Sequence, residues 1–375
     1  MPHRVVALGL AAALVWSVAS AEESQLFRLK WTDPPPAALP DEHGFAGMFA
    51  GVLAVSDDHD NGNGGVLLAA GGANFPEKPL IEGGPKRWSD RIFLLGAPDA
   101  AWREAETRLP RPLGYGVSVT WRDRVICIGG NNLGGHRREV FALSLDGGDV
   151  AIEALPPLPM PMSMMSGALV GDAVYVAGGM GGDDPTRSLD AFYRLNLRRP
   201  DASWKQLPTW PGPDRCLAIA ASLDGDFFLV SGMRMAPNED GAAYPVAPYL
   251  VDAYRYDPDG GVWKRLADPP RPLAASPALE LDSHMLAVLG GLSGENLGHD
   301  LATYPRFYRG IHGYDADDDA WRWLGYLPPD TARLVAPAVK WHGRHVVISG
   351  ESRPGVRSTA VQFIRDSGGS TDHGK

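Results

Sequence analysis

Six times along the chain an apolar strand runs into two consecutive small residues. It reads VLLAAGG ending at Gly72, VICIGG at Gly130, VYVAGG at Gly179, FFLVSG at Gly232, LAVLGG at Gly291 and VVISG at Gly350, at intervals of 58, 49, 53, 59 and 59 residues. A repeat of this length outranks any local motif in deciding a fold, because each copy is a supersecondary unit that buries its apolar faces only against its neighbours. Each copy continues alike. A polar loop of variable length is followed by a strand with period-2 alternation, at 90–95, 138–145, 190–197, 251–256, 310–314 and 358–364. Alternation gives that strand two faces, each free to pack on a different neighbour. A turn rich in Asp and Gly comes next, as at 257–261 and 315–319, and then a fourth strand carrying Trp102, Trp204, Trp263 or Trp321. The second copy has Val150-Ala151-Ile152 in place of the Trp, so that junction is expected to pack less heavily.

The sixth copy ends without a fourth strand, and the missing piece lies at the other terminus. Residues 26–39, LFRLKWTDPPPAAL, are a Trp-bearing strand with the Pro-rich exit that follows the other fourth strands. The expected fold is therefore all-β: a six-bladed β-propeller of kelch-type repeats, closed by the N-terminal strand completing the last blade. Closure removes two sheet edges at once. One domain, 22–365, accommodates all six copies. Two β-sandwiches in tandem would not produce six glycine signals in phase.

The termini read separately. Residues 1–21 combine a basic start, the apolar run 5–18 and Ala19-Ser20-Ala21, the pattern of a cleaved signal peptide. The run is short for a membrane anchor, and no Cys follows for lipidation, so the predicted location is periplasmic or secreted, with no membrane association after cleavage. Residues 366–375 are polar and Gly/Ser-rich, which predicts a disordered tail. The stretch DDHDNGNG at 57–64 resembles a calcium loop, but Gly62 sits where a third ligand belongs, and it reads as an extended turn. Cleavage leaves 34 basic against 45 acidic residues. A net charge of −11 excludes nucleic acid as a favoured partner, and an anionic ligand then requires a locally basic site. Cys127 and Cys216 are expected as two buried free thiols. Nothing in the sequence assigns an oligomeric state.

The loops after the six glycine signals leave their strands in the same sense, so they share one face, the default site in such a fold. They carry Asn74, Lys78, Lys86 and Arg87, then His136, Arg137 and Arg138, then Arg187, Arg234, Arg306 and Arg309, and finally Glu351, Arg353 and Arg357. Guanidinium matches carboxylate in bidentate geometry, so a carboxylate-bearing small molecule is the expected ligand. Glu351 immediately follows the small pair of the last copy, and the turn 352–357 returns an Arg to it. A carboxylate so placed is a candidate general base, and a Glu–Arg pair bracing the turn is the alternative.

The segment 348–361, ISGESRPGVRSTAV, resembles the active-site segment of the N-acetylneuraminate epimerases, the kelch-type sialic acid mutarotases. A second match is AGGANF at 70–75, with Pro85-Lys86-Arg87 and the strand start Asp90-Arg91-Ile92-Phe93. The resemblance implies that Glu351 is the proton acceptor and Arg357 essential, and the blade order here is similar to that of the cyclically permuted branch. It implies anomer interconversion of an acidic sugar by acid/base ring opening, without a metal or organic cofactor. The substrate-binding set expected is Asn74, Lys86, Arg87, Arg137, Arg234 and Arg353. The general acid is left to water or an unassigned residue. Copper radical oxidases share kelch repeats but need a Cys–Tyr crosslink and paired His ligands. Sialidases carry S-x-D-x-G-x-T-W boxes, and this chain has none. A non-catalytic carbohydrate- or protein-binding propeller remains the competing reading.

Overall fold

A computed structural model describes residues 29–33, 35–54, 64–199 and 203–366. The predicted signal peptide, most of the 57–64 loop and the tail beyond Asp366 lie outside the described residues. The architecture is all-β and of the propeller kind. Among the described residues the one helical element is the 3-10 turn Leu80–Glu82, and no helix is long and apolar enough to cross a membrane.

The strands form six four-stranded antiparallel sheets. Their first strands are Phe49–Leu53, Val117–Trp121, Ser166–Val170, Ile219–Leu223, Ala278–Glu280 and Ala338–Trp341. Each lies against the first strand of the next sheet, and Ala338–Trp341 lies against Phe49–Leu53. Close approach at the centre demands small side chains: a Cβ on Gly51 would stand 2.5 Å from Val125 of the second sheet. The second strands are the six repeated segments. The third strands start up to three residues later than the alternation suggests, as in Val361–Asp366, because Ser358 is still bonding the glycine turn: its carbonyl accepts the Ser349 hydroxyl at 2.6 Å. The sixth sheet takes Leu29–Trp31 as its outer strand, with Trp31 opposite Ile364.

Both residues of every small pair are left-handed: Gly71 and Gly72, Gly129 and Gly130, Gly178 and Gly179, Ser231 and Gly232, Gly290 and Gly291, Ser349 and Gly350. Such a double turn is why glycine recurs there. Where serine replaces the first glycine, its hydroxyl accepts a backbone N–H from the adjoining sheet's entry segment, Leu273 to Ser231 at 2.7 Å and Phe45 to Ser349 at 2.8 Å. The residues entering the first strands are tied together as well. Tyr115 N–H bonds Gly47 carbonyl, and Met164, Leu217, Ala275 and Val335 each bond the one before. Gly47 N–H then bonds Val335, so six hydrogen bonds of 2.7–2.9 Å return to their start.

The core is six apolar clusters, one between each pair of adjacent sheets. The fourth-strand tryptophans help lock these junctions, each donating its indole N–H to the preceding sheet's exit segment: Trp102 to Ala37, Trp204 to Pro156, Trp263 to Pro208 and Trp321 to Ala267. At the second sheet, which lacks the Trp, the Asp149 carboxylate takes that place and accepts the Thr107 N–H and hydroxyl at 2.9 and 2.8 Å. Cys127 is free and buried in one of these clusters, Cys216 free and buried among Met180, Met233, Tyr249 and Ala274, and burial pushes both thiols upward, Cys216 to about 12.

Candidate functional site

The residue after each small pair pairs with the entry segment of its own sheet, which places Ala73, Asn131, Met180, Met233, Leu292 and Glu351 in equivalent positions around the hydrogen-bonded ring. Glu351 is the one charged member. Its N–H and carbonyl both bond Leu334 at 2.9 Å, so its backbone is fixed. The hairpin Glu351–Arg353 and Val356–Arg357 then folds back, and Gly355, at positive φ, donates its N–H to Glu351 Oε1 at 2.6 Å.

Arg357 closes the cluster. Its Nη1 stands 2.9 Å from Glu351 Oε1, an ion pair by distance, yet that N–H is not aligned as a hydrogen bond and Nη1 is buried. Its Nε donates to the Ala73 carbonyl at 3.2 Å, and Nη2 reaches the Tyr115 hydroxyl at 3.4 Å, a weak contact. The guanidinium lies 5.0 Å from the Phe75 ring centre. Arg357 is 4% exposed and Glu351 20%, so the carboxylate is the member that meets solvent. Three sheets supply the cluster: the sixth gives Glu351 and Arg357, the first Ala73 and Phe75, the second Tyr115. Lys86 extends it, with Nζ 5.0 Å above the Tyr115 ring and 5.7 Å from that of Trp88. Trp88 donates to Asn131 at 3.0 Å, Asn131 to Ser163 at 3.1 Å, and the Ser163 hydroxyl meets His136 Nδ1 at 2.8 Å. Burial holds His136 below the usual imidazole range.

Among the described residues none of the remaining expected binding residues bonds the Glu351 side chain, and three of them hold other partners. Arg87 pairs with Glu77, Arg137 with the Asn132 side chain and Arg234 with Asp214. Asn74 is buried and lines a small depression with Asp41, His43, Pro76 and Arg91. Arg353 is exposed on the hairpin and makes no ion pair among the described residues. Arg187 and Arg306 pair with Asp184 and Asp330, and Arg309 bonds the Leu327 carbonyl. A shared face does not aim side chains at a shared point, and nearby acids take Arg87, Arg187, Arg234 and Arg306 first.

Sequence reasoning missed Tyr115 and Tyr304. Tyr115 sits in the ring at positive φ, within Gly114-Tyr115-Gly116 ahead of its strand. Tyr304, half-buried on the fifth sheet's long loop, packs against the Ala275, Phe307 and Leu334 cluster. Burial raises its phenol, and the Glu351 charge raises it further. A cavity of about 1450 Å³ lies elsewhere: the first strands and the turns after them line it, Glu280, Lys340 and His345 among them. It opens at the end of the bore opposite the hydrogen-bonded ring. Among the described residues no group of three His, Cys, Asp or Glu side chains is placed to hold a metal ion.

Residues 155–304 match the family model of N-acetylneuraminate epimerase. Over part of its length the chain is similar to N-acetylneuraminate epimerases. One such epimerase, from Haemophilus influenzae (strain PittEE), is 30% identical over 230 residues, 55% of this chain and 58% of that protein. Another, from Pasteurella multocida (strain Pm70), is 29% identical over 240 residues, 57% and 60% of the two chains. A third, from Yersinia enterocolitica, is 27% identical over 235 residues, 56% and 57%. The chain thus spans little more than half the length of these epimerases. The stretch matched by the family model contains Arg234 and ends on Tyr304, whereas Glu351, Arg357 and the 73–88 loop lie outside it.

Proposed function

We propose that this protein is an isomerase that interconverts the anomers of N-acetylneuraminate or a related acidic sugar. The observation that carries the reading is the Glu351–Arg357 pair beside the hydrogen-bonded ring, and the names of the related epimerases supply the sugar class. Ring opening of a cyclic 2-keto acid needs a base at the anomeric hydroxyl and an acid at the ring oxygen, with roles exchanged on closure. Glu351 is the base, since its carboxylate is the solvent-facing member of the cluster. Arg357 is too covered to clamp a ligand from above. Its part is to fix Glu351 and to set positive charge beside the anomeric oxygen. Lys86 and Arg353 are the cations left to meet the substrate carboxylate, while Arg87, Arg137 and Arg234 would contribute only after leaving their present partners, and Asn74 lines a depression of its own. The reaction needs no cofactor.

The fold-level reading is a single domain, residues 22–365, whose six sheets are kelch blades of one closed ring. The ring of six hydrogen bonds and the Leu29–Trp31 pairing support it. Deleting residues 22–40 should then lower the melting temperature of the whole molecule, and an unchanged melt would refute closure. A cyclically permuted blade order fits an alignment confined to little more than half of each chain. The signal-peptide pattern supports a periplasmic or secreted location, which N-terminal sequencing of exported protein, expected to start at Glu22, would test.

The deciding experiment is anomer-resolved NMR of freshly released α-N-acetylneuraminate with and without the protein. Acceleration is expected. One observation favours a binding propeller instead: Oε1 of Glu351 is already engaged by Gly355 and Arg357, as in a pair that merely braces its turn. Sugar binding without acceleration would decide for that reading.

A further inference from the structure

We infer that Tyr304 is the second proton carrier of this site, the acid that protonates the ring oxygen while Glu351 takes the anomeric proton. The inference rests on the mutarotase reading above. Tyr304 belongs to the loop that leaves the fifth sheet after Gly291, and that loop folds back toward the axis. Its ring packs against the cluster of Ala275, Phe307 and Leu334, to which Leu217 and Val335 also belong. Ala275, Leu217 and Val335 are members of the hydrogen-bonded ring, so the phenol stands over the end of the bore. Leu334 is bonded to Glu351 through both its N–H and its carbonyl, so one cluster links Tyr304 and the carboxylate-bearing residue from adjacent sheets.

Three further features suit a proton donor. Phe307 and His299 hold the Tyr304 ring edge-on, with centroids 6.2 and 6.4 Å away, which orients the hydroxyl without binding it. That hydroxyl makes no hydrogen bond among the described residues, and the side chain is only half-buried. Burial and the charge of Glu351 both favour the neutral phenol, the form that donates. The other phenol near Glu351, Tyr115, is buried and already touched by Arg357.

The step balances without a co-reactant. Glu351 removes the proton of the anomeric hydroxyl and the carbonyl forms. The bond between the anomeric carbon and the ring oxygen breaks, and that oxygen takes the Tyr304 proton. After rotation about the bond to the carbonyl carbon, the chain hydroxyl attacks the other face. It returns its proton to the phenolate, while the new anomeric oxygen recovers the proton held by Glu351.

Tyr304→Phe tests this with the full chain. Anomerisation should fall roughly 10²-fold or more, with the melting temperature and the sugar affinity retained. The alkaline limb of the pH–rate profile, which reports the donor's ionisation, should disappear. A second measurement uses 3-fluorotyrosine placed at position 304, which should move that limb to lower pH with the fold untouched. Wild-type rates in a well-folded Tyr304→Phe, or a limb that ignores fluorination, would overturn the assignment, as would loss of the limb in Tyr115→Phe alone. In each of those cases an inactive Glu351→Gln leaves the base assignment standing. A wild-type protein that binds the sugar without accelerating anomerisation removes the parent reading and Tyr304 with it.

Discussion

The two ends of the bore each present a carboxylate, and the contrast between them separates space from chemistry. At one end Glu280 looks into the cavity of about 1450 Å³. One backbone N–H, from Ser222 at 2.8 Å, satisfies it. Its side chain is exposed to the bore, yet the mass of protein around it raises the carboxyl above the usual range, and Ser222 and the charge of Lys340 only partly offset this. At the other end Glu351 has a much tighter setting, with a backbone N–H and a buried guanidinium upon it, the Tyr115 hydroxyl against that guanidinium and Tyr304 of the adjacent fifth sheet near by. The wide end is a consequence of construction: six first strands meet around an axis, and small residues such as Ala50, Gly167, Ala220 and Ala278 among those that line it leave the space open. The narrow end is where loops of different sheets cross and can bring unlike groups together. Size of cavity is a poor guide to chemistry in this architecture.

The sharpest way to break that comparison is a pair of isosteric changes. Glu351→Gln keeps the shape and one acceptor but removes the basic lone pair, so the anomerisation rate should drop roughly 10²-fold or more. Glu280→Gln should leave it within about twofold of wild type, because the bore separates it from the cluster. Both rates are read by NMR of the anomers. Equal losses would mean that the sugar enters through the wide end, and the assignment of the site would be reversed.

Arg357→Lys comes next in size. The guanidinium reaches Ala73, Glu351 and Tyr115 through three different nitrogens, whereas one ammonium meets a single partner well. The Ala73 carbonyl or the Glu351 carboxylate is then left poorly satisfied, at about 1–3 kcal/mol of stability. Denaturant melts should show the loss, and the half-saturating sugar concentration should rise along with it. A variant as stable as wild type would make Arg357 a ligand-binding group alone, with no bracing role.

Much of this geometry was legible in the residues, for reasons that can be located. A pair of left-handed residues at each second strand's end leaves Gly-Gly or Ser-Gly as its trace, so the six sheets announce themselves. Trp31 betrayed the strand that completes the sixth sheet because its partners, Trp102 to Trp321, keep the same place before a Pro-rich exit. Glu351 and Arg357 could be paired because one short hairpin joins them. What stayed hidden depends on side-chain direction in long loops. Arg87 lies ten residues from Glu77 and Arg234 twenty from Asp214, and no periodicity says that these pairs will meet. Tyr115 reaches Arg357 from the second sheet and Tyr304 comes near Glu351 from the fifth, a closeness that exists only once the ring has formed.

The smallest effect is the most direct test of the wide end. The carboxyl of Glu280 is raised in the folded protein above its ordinary value of 4.5. Well below that value the carboxyl is protonated in both states and the folded protein has its full share of stability. As pH rises through 4.5 the unfolded chain releases its proton first. The folded state then binds more protons, and stability declines until the folded carboxyl ionises too. His345, in the same cavity, works in the opposite sense. Burial and then Lys340 depress it to about 4 from 6.5, so it weakens the fold as pH falls through that interval. Wild-type melts alone would blend the two. Subtraction of Glu280→Gln from wild type isolates the carboxylate: the variant should match wild type near pH 4 and melt progressively higher toward pH 7, while the His345 slope persists in both. A difference that stays flat across this range would show that Glu280 is solvated as freely as any surface carboxylate. The wide end would then be open water, and the contrast with Glu351 would be greater still.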